Sequence, residues 1–205
     1  PSRLPLKFGV FFFDYDLDGR LDLLHANGHL EEEIATVDPS QRYRQPMQLF
    51  WNAGEGAMVP VAESALGDLA HPLVGRAAAY GDLDGDGDLD VVATQAGDRA
   101  VVLRNGQSLG HHWLRVKLRG NGMTVSRDAI GAEVSLASDA GVQRRSVSPS
   151  RSYQSQVELP VTFGLGSTDR VEAIDVTWPD GSKSRVTVGA VDRLIVVDQL
   201  RADAL

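Results

Sequence analysis

Two stretches decide the fold: FFDYDLDGRLDL at residues 12–23 and AYGDLDGDGDLDV at residues 79–91. Both contain the pattern Asp-x-Asp-x-Asp-Gly-x-x-Asp. In the first copy the positions are Asp14, Asp16, Asp18, Gly19 and Asp22, and in the second Asp82, Asp84, Asp86, Gly87 and Asp90. The spacing suits a hard cation. Ca²⁺ takes roughly six to eight oxygens at about 2.3–2.6 Å, and a tight loop can turn alternate side chains toward one point while its glycine allows the sharp bend. A backbone carbonyl from Arg20 or Asp88 is expected to follow, and the last Asp to close the shell. Mg²⁺ fits less well because it prefers a smaller octahedral shell and retains water. Starting the second loop at Asp84 would put Leu89 where the glycine belongs, so the register begins at Asp82 and leaves Asp88 a carbonyl role or none. The bland reading is a solvated acidic turn, which explains one such loop better than two. A helix-flanked calcium hand is excluded, because His25 and Ala93 stand where its closing Glu would be and the flanking residues read as strands.

Outward from the loops the chain reads as short strands. Phe8–Phe13 and Gly75–Tyr80 lead into the two loops, and Leu21–His25 and Val91–Thr94 leave them. The repeat offset from Asp14 to Asp82 is 68 residues, which suits a four-stranded unit carrying an inserted loop. That insertion is the polar, proline-bearing stretch Glu31–Met47, with one helical turn expected near Glu31–Ala35. Gln48–Trp51 and Met58–Ala62 flank Asn-Ala-Gly-Glu-Gly as a hairpin, and Ala100–Leu103 follows a turn at Gly97–Asp98. Near Asn105–His112 the character changes to alternation, at Trp113–Leu118, Ala132–Leu136 and Val171–Trp178, with a turn at Pro179-Asp180-Gly181. The expected class is all-β: a partial β-propeller in residues 1–108, then a small β-sandwich in residues 109–205.

Composition narrows the function. The formal net charge of −8 argues against a nucleic-acid partner. Nine of the 28 acidic residues lie within the two loops, so two bound Ca²⁺ would bring the charge to −4, and part of the acid is a ligand inventory. With no cysteine there is neither a disulfide framework nor a thiolate zinc site. No apolar run approaches the ~20 residues of a membrane helix. The start Pro-Ser-Arg, without Met, reads as a mature product or a fragment.

The two Asp loops, with Leu49-Phe-Trp-Asn52, Gly54 and Gly56, resemble FG-GAP repeats of the integrin type, whose bacterial relatives are called VCBS repeats. From His112 onward the chain resembles the ASPIC/UnbV domain of the cartilage acidic protein-like family. The matching segments are His112–Gly120, Arg127–Ala132, Tyr153-Gln-Ser155, Phe163-Gly-Leu-Gly166 and Trp178–Gly181. The resemblance implies a calcium-binding propeller followed by a sandwich, in an extracytoplasmic protein without catalytic residues. Gly120–Asp128 is longer than the usual family loop, and Ser126 stands where Asn is common. Only one and a half to two propeller units are present, whereas roughly three or more repeats are needed for independent stability. The expectation is therefore the C-terminal part of a longer propeller protein, or blades completed by another chain.

Other signals are weaker. His25 and His29 are spaced for zinc only on a helix, and the intervening Asn-Gly favours a turn. Gly181-Ser-Lys-Ser184 and Gly164-Leu-Gly166 lack the helix that a phosphate or dinucleotide loop needs. There is no Gly-x-Ser-x-Gly elbow. Arg144, Arg145 and Arg151 with Tyr153 could meet an acidic glycan or a phosphate, although an exposed strand face explains them more simply. Trp113 and Trp178 read as packing residues. The functional expectation is a non-catalytic, calcium-binding adhesion or interaction module that is secreted, periplasmic or on the cell surface. It would hold two Ca²⁺ and meet a protein or a surface polysaccharide. A carbohydrate-binding module, or an accessory region of a larger secreted enzyme, are the alternatives.

Overall fold

The computed structural model describes residues 3–138 and 141–201 and the backbone of 203–204. The first half is built from antiparallel meanders. β1 (Lys7–Phe13), β2 (Asp22–Asn27), β3 (Gln48–Asn52) and β4 (Met58–Pro60) form one four-stranded sheet in chain order. A short helix, α1 (Ile34–Val37), lies in the excursion between β2 and β3, shifted a few residues from the expected turn. β5 (Gly75–Gly81), β6 (Asp90–Gln95) and β7 (Val101–Leu103) form a three-stranded sheet of the same design. The 68-residue offset maps β1 onto β5 and β2 onto β6, end for end. A five-residue turn at 96–100 then replaces the 20-residue excursion at 28–47, so the third strands and the residues after them are related by a shorter offset.

These sheets are propeller-like blades, and among the described residues no sheet closes into a barrel. β1 lies beside β5, and alternate residues of β1 point between the two sheets, burying Phe11 and Phe13 and leaving Phe12 half exposed. Phe11 meets Phe13 edge-on at 5.2 Å, and Phe13 stacks on Tyr80 at 5.9 Å. With Leu24, Leu49, Leu89 and Val91 these rings form the core of this half. Each fully buried side chain of this size contributes about 1.5–3 kcal/mol.

The second half is a sandwich. β8 (His112–Arg119), β9 (Glu133–Ser138), β10 (Gly141–Ser146), β11 (Val161–Gly166), β12 (Arg170–Thr177), β13 (Lys183–Ala190), β14 (Arg193–Asp198) and β15 (Asp203–Ala204) sort into two sheets. One has the order β10-β9-β12-β13-β15 and the other β11-β8-β14. Alternation held for β8, β9 and β12, whose inward residues Leu114, Val116, Val134, Leu136, Ile174 and Val176 are buried in a second core. One pairing departs from a simple antiparallel sandwich: β14 runs parallel to β8, from Arg193 opposite Leu114 to Asp198 opposite Arg119. Trp178, only 1% exposed, closes the core, and its indole N–H donates to Ser184 Oγ at 3.0 Å across the Pro179–Gly181 turn.

Trp178→Ala is expected to destabilise the sandwich by about 3–5 kcal/mol, because it opens a cavity and orphans the Ser184 hydroxyl. Urea denaturation followed by far-UV circular dichroism checks this; a loss below about 1 kcal/mol would contradict the core assignment.

Candidate metal centre

Each Asp loop joins the first two strands of its sheet. In the first loop, ligand-capable oxygens of Asp14, Asp16 and Asp18 all lie within 4.8 Å of one another. Local hydrogen bonds hold the loop in this shape: the Gly19 amide donates to Asp14 Oδ2 at 2.9 Å, the Arg20 amide to Asp18 Oδ1 at 2.8 Å, and the Trp51 indole N–H to Asp16 Oδ2 at 3.1 Å. Gly19 takes a positive φ of +92°, and Gly87 the equivalent +97°. Asp14 is 1% exposed, and its Oδ1 is buried without any hydrogen-bond donor. A carboxylate oxygen in that condition fits a cation, since a buried unpartnered acceptor otherwise carries its full desolvation cost.

Asp22 does a different job. Its Oδ2 accepts the Tyr15 amide at 3.1 Å and its Oδ1 the Asn52 amide at 2.8 Å, so it clasps the loop to the end of β3. Asp90 repeats this clasp, accepting from Leu83 at 2.9 Å and Asn105 at 2.8 Å. The clasping role of Asn52, the last residue of β3, and of Asn105, two residues after β7, is not evident from the sequence alone; aligning the third strands of the repeat reveals the pair.

The second loop gathers oxygens of Asp82, Asp84 and Asp90 within 4.8 Å. Protein cations already sit on several of its acids. Arg115 Nη1 lies 2.6 Å from Asp82 Oδ2, and the other arm of the same guanidinium pairs with Glu158. Arg104 bridges Asp84 at 2.5 Å and Asp86 at 3.4 Å. Asp88 is buried and accepts from the Gln107 side chain at 2.8 Å. In the first loop Arg20 pairs only with Asp18, the member of the cluster nearest solvent, while its Nε–H donates to the Asn52 carbonyl at 2.7 Å.

The sandwich rests directly on these loops. The Gly164 amide donates to Asp14 Oδ2 at 3.2 Å, and the Gly166 amide to the Leu17 carbonyl at 2.9 Å. A Cβ at Gly164 would collide with both Asp14 and the Leu17 backbone, so only glycine permits this approach. Arg145 Nη2 donates to the Gly19 carbonyl at 3.1 Å, and His111 Nδ1 lies 2.6 Å from the Asp16 carbonyl. Trp113 packs over Gly87 of the second loop. The segment after β10 lies along the first strands of both sheets: the Val10 amide donates to Ser152 Oγ at 3.1 Å, and Ser155 Oγ–H donates to the Ala78 carbonyl at 2.9 Å. The β1 edge is therefore partly occupied. Arg145 belongs to this contact rather than to an exposed strand face, whereas Arg144 is exposed as expected.

Burial dominates the electrostatics. It pushes the Asp14 carboxyl up to about 8 and the Asp22 carboxyl up to about 7, with neighbouring Asp charges adding to the effect. Asp16 and Asp88 are also raised, again chiefly by burial.

Residues 27–93 match the family described as FG-GAP-like repeat, and residues 122–204 match the family described as ASPIC and UnbV. The first of these matches contains the second Asp loop and begins after the first. Cartilage acidic protein 1 of Mus musculus is 32% identical over 123 residues, which are 58% of this chain and 18% of that protein. The Homo sapiens protein is 35% identical over 104 residues, 49% of this chain and 15% of its own length. That of Xenopus tropicalis is 34% identical over 111 residues, 52% and 16%. The chain thus spans less than a fifth of the length of these relatives.

The raised carboxyls give a signed pH dependence for the protein in chelator. The unfolded chain ionises these groups near 3.8, while the fold holds their protons up to about 7 and 8. The stabilisation is complete below the unfolded value and is lost as pH rises through the folded ones. The melting temperature in EDTA is therefore expected to fall between pH 5 and pH 8, and millimolar Ca²⁺ to flatten that slope. Melts that hold level or rise over this range in EDTA would contradict the assignment.

Proposed function

We propose, for a chain that joins FG-GAP-like repeat blades to an ASPIC and UnbV domain, a non-catalytic interaction module whose folded geometry is held by two Ca²⁺ ions. The observation that supports this most is the buried, unpartnered Asp14 Oδ1 beside Asp16 and Asp18. Asp14, Asp16 and Asp18 would hold the first ion, with the Arg20 carbonyl and with Asp22 closing and bracing the loop. Asp82, Asp84 and Asp90 would hold the second, with Asp86 and the Asp88 carbonyl on the same loop. The ion supplies charge neutralisation and a fixed centre for the loop. The chain's own residues then do the rest: Gly164 and Arg145 seat the sandwich on the first loop, and Arg115 and Trp113 seat it on the second.

The proposed division is blades in residues 1–108 and sandwich in residues 109–205, supported by the two separate cores. The blade pair carries exposed apolar residues such as Val59 and Val102. Further blades, in the same polypeptide or another, would cover such residues. A protein or a surface polysaccharide is the proposed partner, and the net charge of −8 opposes nucleic acid. Among the described residues no helix is long and apolar enough to cross a membrane, which says nothing of β-barrels. Location outside the cytosol, as in secreted or VCBS-type proteins, is supported by the chemistry: loops with affinities on the order of 10⁻⁴–10⁻³ M fill only where Ca²⁺ is abundant.

Calorimetric titration of the chelator-stripped protein with Ca²⁺ is expected to give two sites, and Mg²⁺ to give none of comparable affinity. At about 100 times the dissociation constant, each ion adds about 2.7 kcal/mol of stability, readable as a rise in melting temperature. Absence of any Ca²⁺-specific shift at 10 times physiological extracellular concentration, on the order of 10 mM, would remove the metal from the reading. Asp16→Asn should weaken the first site at least tenfold and spare the second. Arg104→Gln should tighten the second site, because its guanidinium competes for Asp84 and Asp86; a weaker second site in that variant would show Arg104 to be a support and not a competitor.

A further inference from the structure

Between the blades and the sandwich, beside the first loop and with Asp14 of its carboxylate cluster on the wall, lies a cavity of about 200 Å³. Its basic wall carries Arg144, Arg145 and Arg151, the same three residues that stood out in the sequence without a role. Arg145 spends its donors on uncharged acceptors: the carbonyls of Thr162 at 3.3 Å, Arg144 at 3.1 Å and Gly19 at 3.1 Å, and Gln143 Oε1 at 3.0 Å. Arg151 donates to the Ser146 carbonyl at 2.5 Å and its hydroxyl at 3.3 Å. Among the described residues neither forms an ion pair. Arg144 lies 3.9 Å from Glu133 at the surface, with its side chain 69% exposed.

Of the two acids on the cavity wall, Glu158 is engaged elsewhere and Asp14 is engaged through one oxygen only. Asp14 Oδ2 accepts the Gly19 and Gly164 amides, and Glu158 is held by Arg115. The Thr162 hydroxyl, on the same wall, is buried without a hydrogen-bond partner. Half-buried guanidinium groups with no bonded carboxylate repel one another and lose hydration; burial lowers the Arg145 pKa, and the Asp14 charge nearby offsets only part of that. Charged groups in such surroundings are normally paired.

We propose that this interdomain cavity binds an acidic monosaccharide unit, a hexuronate, through its carboxylate. Guanidinium forks match a carboxylate in geometry as well as charge. The volume, at roughly 30 Å³ per displaced water, admits a molecule of single-sugar size. Ser146, Ser148 and Thr162 offer hydroxyls for the ring, and Phe12 and Pro160 give it an apolar face. The site stands on the arginines and the cavity and does not require the metal reading.

The test is calorimetric titration of the full chain with galacturonate, with galactose as the neutral isostere, inorganic sulfate as the bare oxyanion and a glutamate-rich peptide as the other carboxylate source. Galacturonate is expected to bind at least tenfold more tightly than the other three. Arg151→Gln should cut that binding at least tenfold while keeping the parent melting temperature, and Arg185→Gln, whose partner is Asp175 on the outer sheet, should leave it unchanged. The proposal is overturned if galacturonate gives no heat up to millimolar concentration, if galactose binds equally, or if sulfate or the peptide binds as well or better. Unchanged binding in a folded Arg151→Gln variant overturns it too. If Arg151→Gln loses its fold, Arg144→Gln, at an exposed position, gives the same reading.

Discussion

The constraint on which the rest depends is the burial of aspartates in the first loop. Asp14 and Asp22 are almost wholly removed from water, yet together they accept only four backbone amides and leave Asp14 Oδ1 bare. In low dielectric the charged form of each is disfavoured, and the neighbouring carboxylates worsen it. Either protons or a cation must answer that charge. The sandwich answers it only in part: it supplies one amide, from Gly164, and the Arg145 guanidinium, which donates to the Gly19 carbonyl and lowers the Asp14 pKa through space without overcoming its burial.

The two loops, near copies in sequence, are not copies in electrostatics. The second is served by two arginines. Arg115, buried and shared between Asp82 and Glu158, ties the loop to the sandwich, and Arg104 spans Asp84 and Asp86 at the surface. A buried ion pair recovers its desolvation cost only when the geometry is good and its remaining groups are bonded, and Arg115 Nε has no acceptor. The second loop therefore holds its shape with less need of an ion than the first. An ion entering it would compete with Arg104 for oxygen, whereas an ion entering the first meets an oxygen that nothing else uses.

The blades were legible because their signals are local. Alternate Asp with a following Gly, an aromatic strand before and a Leu-Asp-Leu or Leu-Asp-Val strand after, fix both loop and strand register, and the 68-residue offset carries β1 onto β5 and β2 onto β6. The alternation of β8, β9 and β12 was readable for the same reason. What was not legible joins residues far apart in sequence. Nothing near Arg115 points to Asp82, and nothing near Gly164 points to Asp14, 150 residues away. The clasp by Asp22 and Asp90 was also hidden, because a carboxylate that accepts backbone amides and one that binds metal look alike as letters. The parallel pairing of β14 with β8 is set by the crossing from one sheet to the other after β13, which no periodicity reports.

The placement of the sandwich has a thermodynamic consequence. Its contacts with the blades run through the loops themselves: Leu17 and Gly19 by their carbonyls, Asp14 and Asp82 by their carboxylates, Gly87 by its bare α-carbon under Trp113. Whatever orders those loops lowers the cost of docking, and docking in turn preorders the loops. A ligand that binds the ordered form alone must strengthen the other equilibrium by the same factor, because coupling free energies are reciprocal. Cation binding and the seating of the sandwich are thus expected to be one linked process, strongest at the first loop, where Asp14 Oδ1 is buried without a hydrogen-bond partner. This is a physical reason for the two halves to stay together in one chain: the sandwich supplies the lid under which a weakly hydrated, acidic loop is able to form.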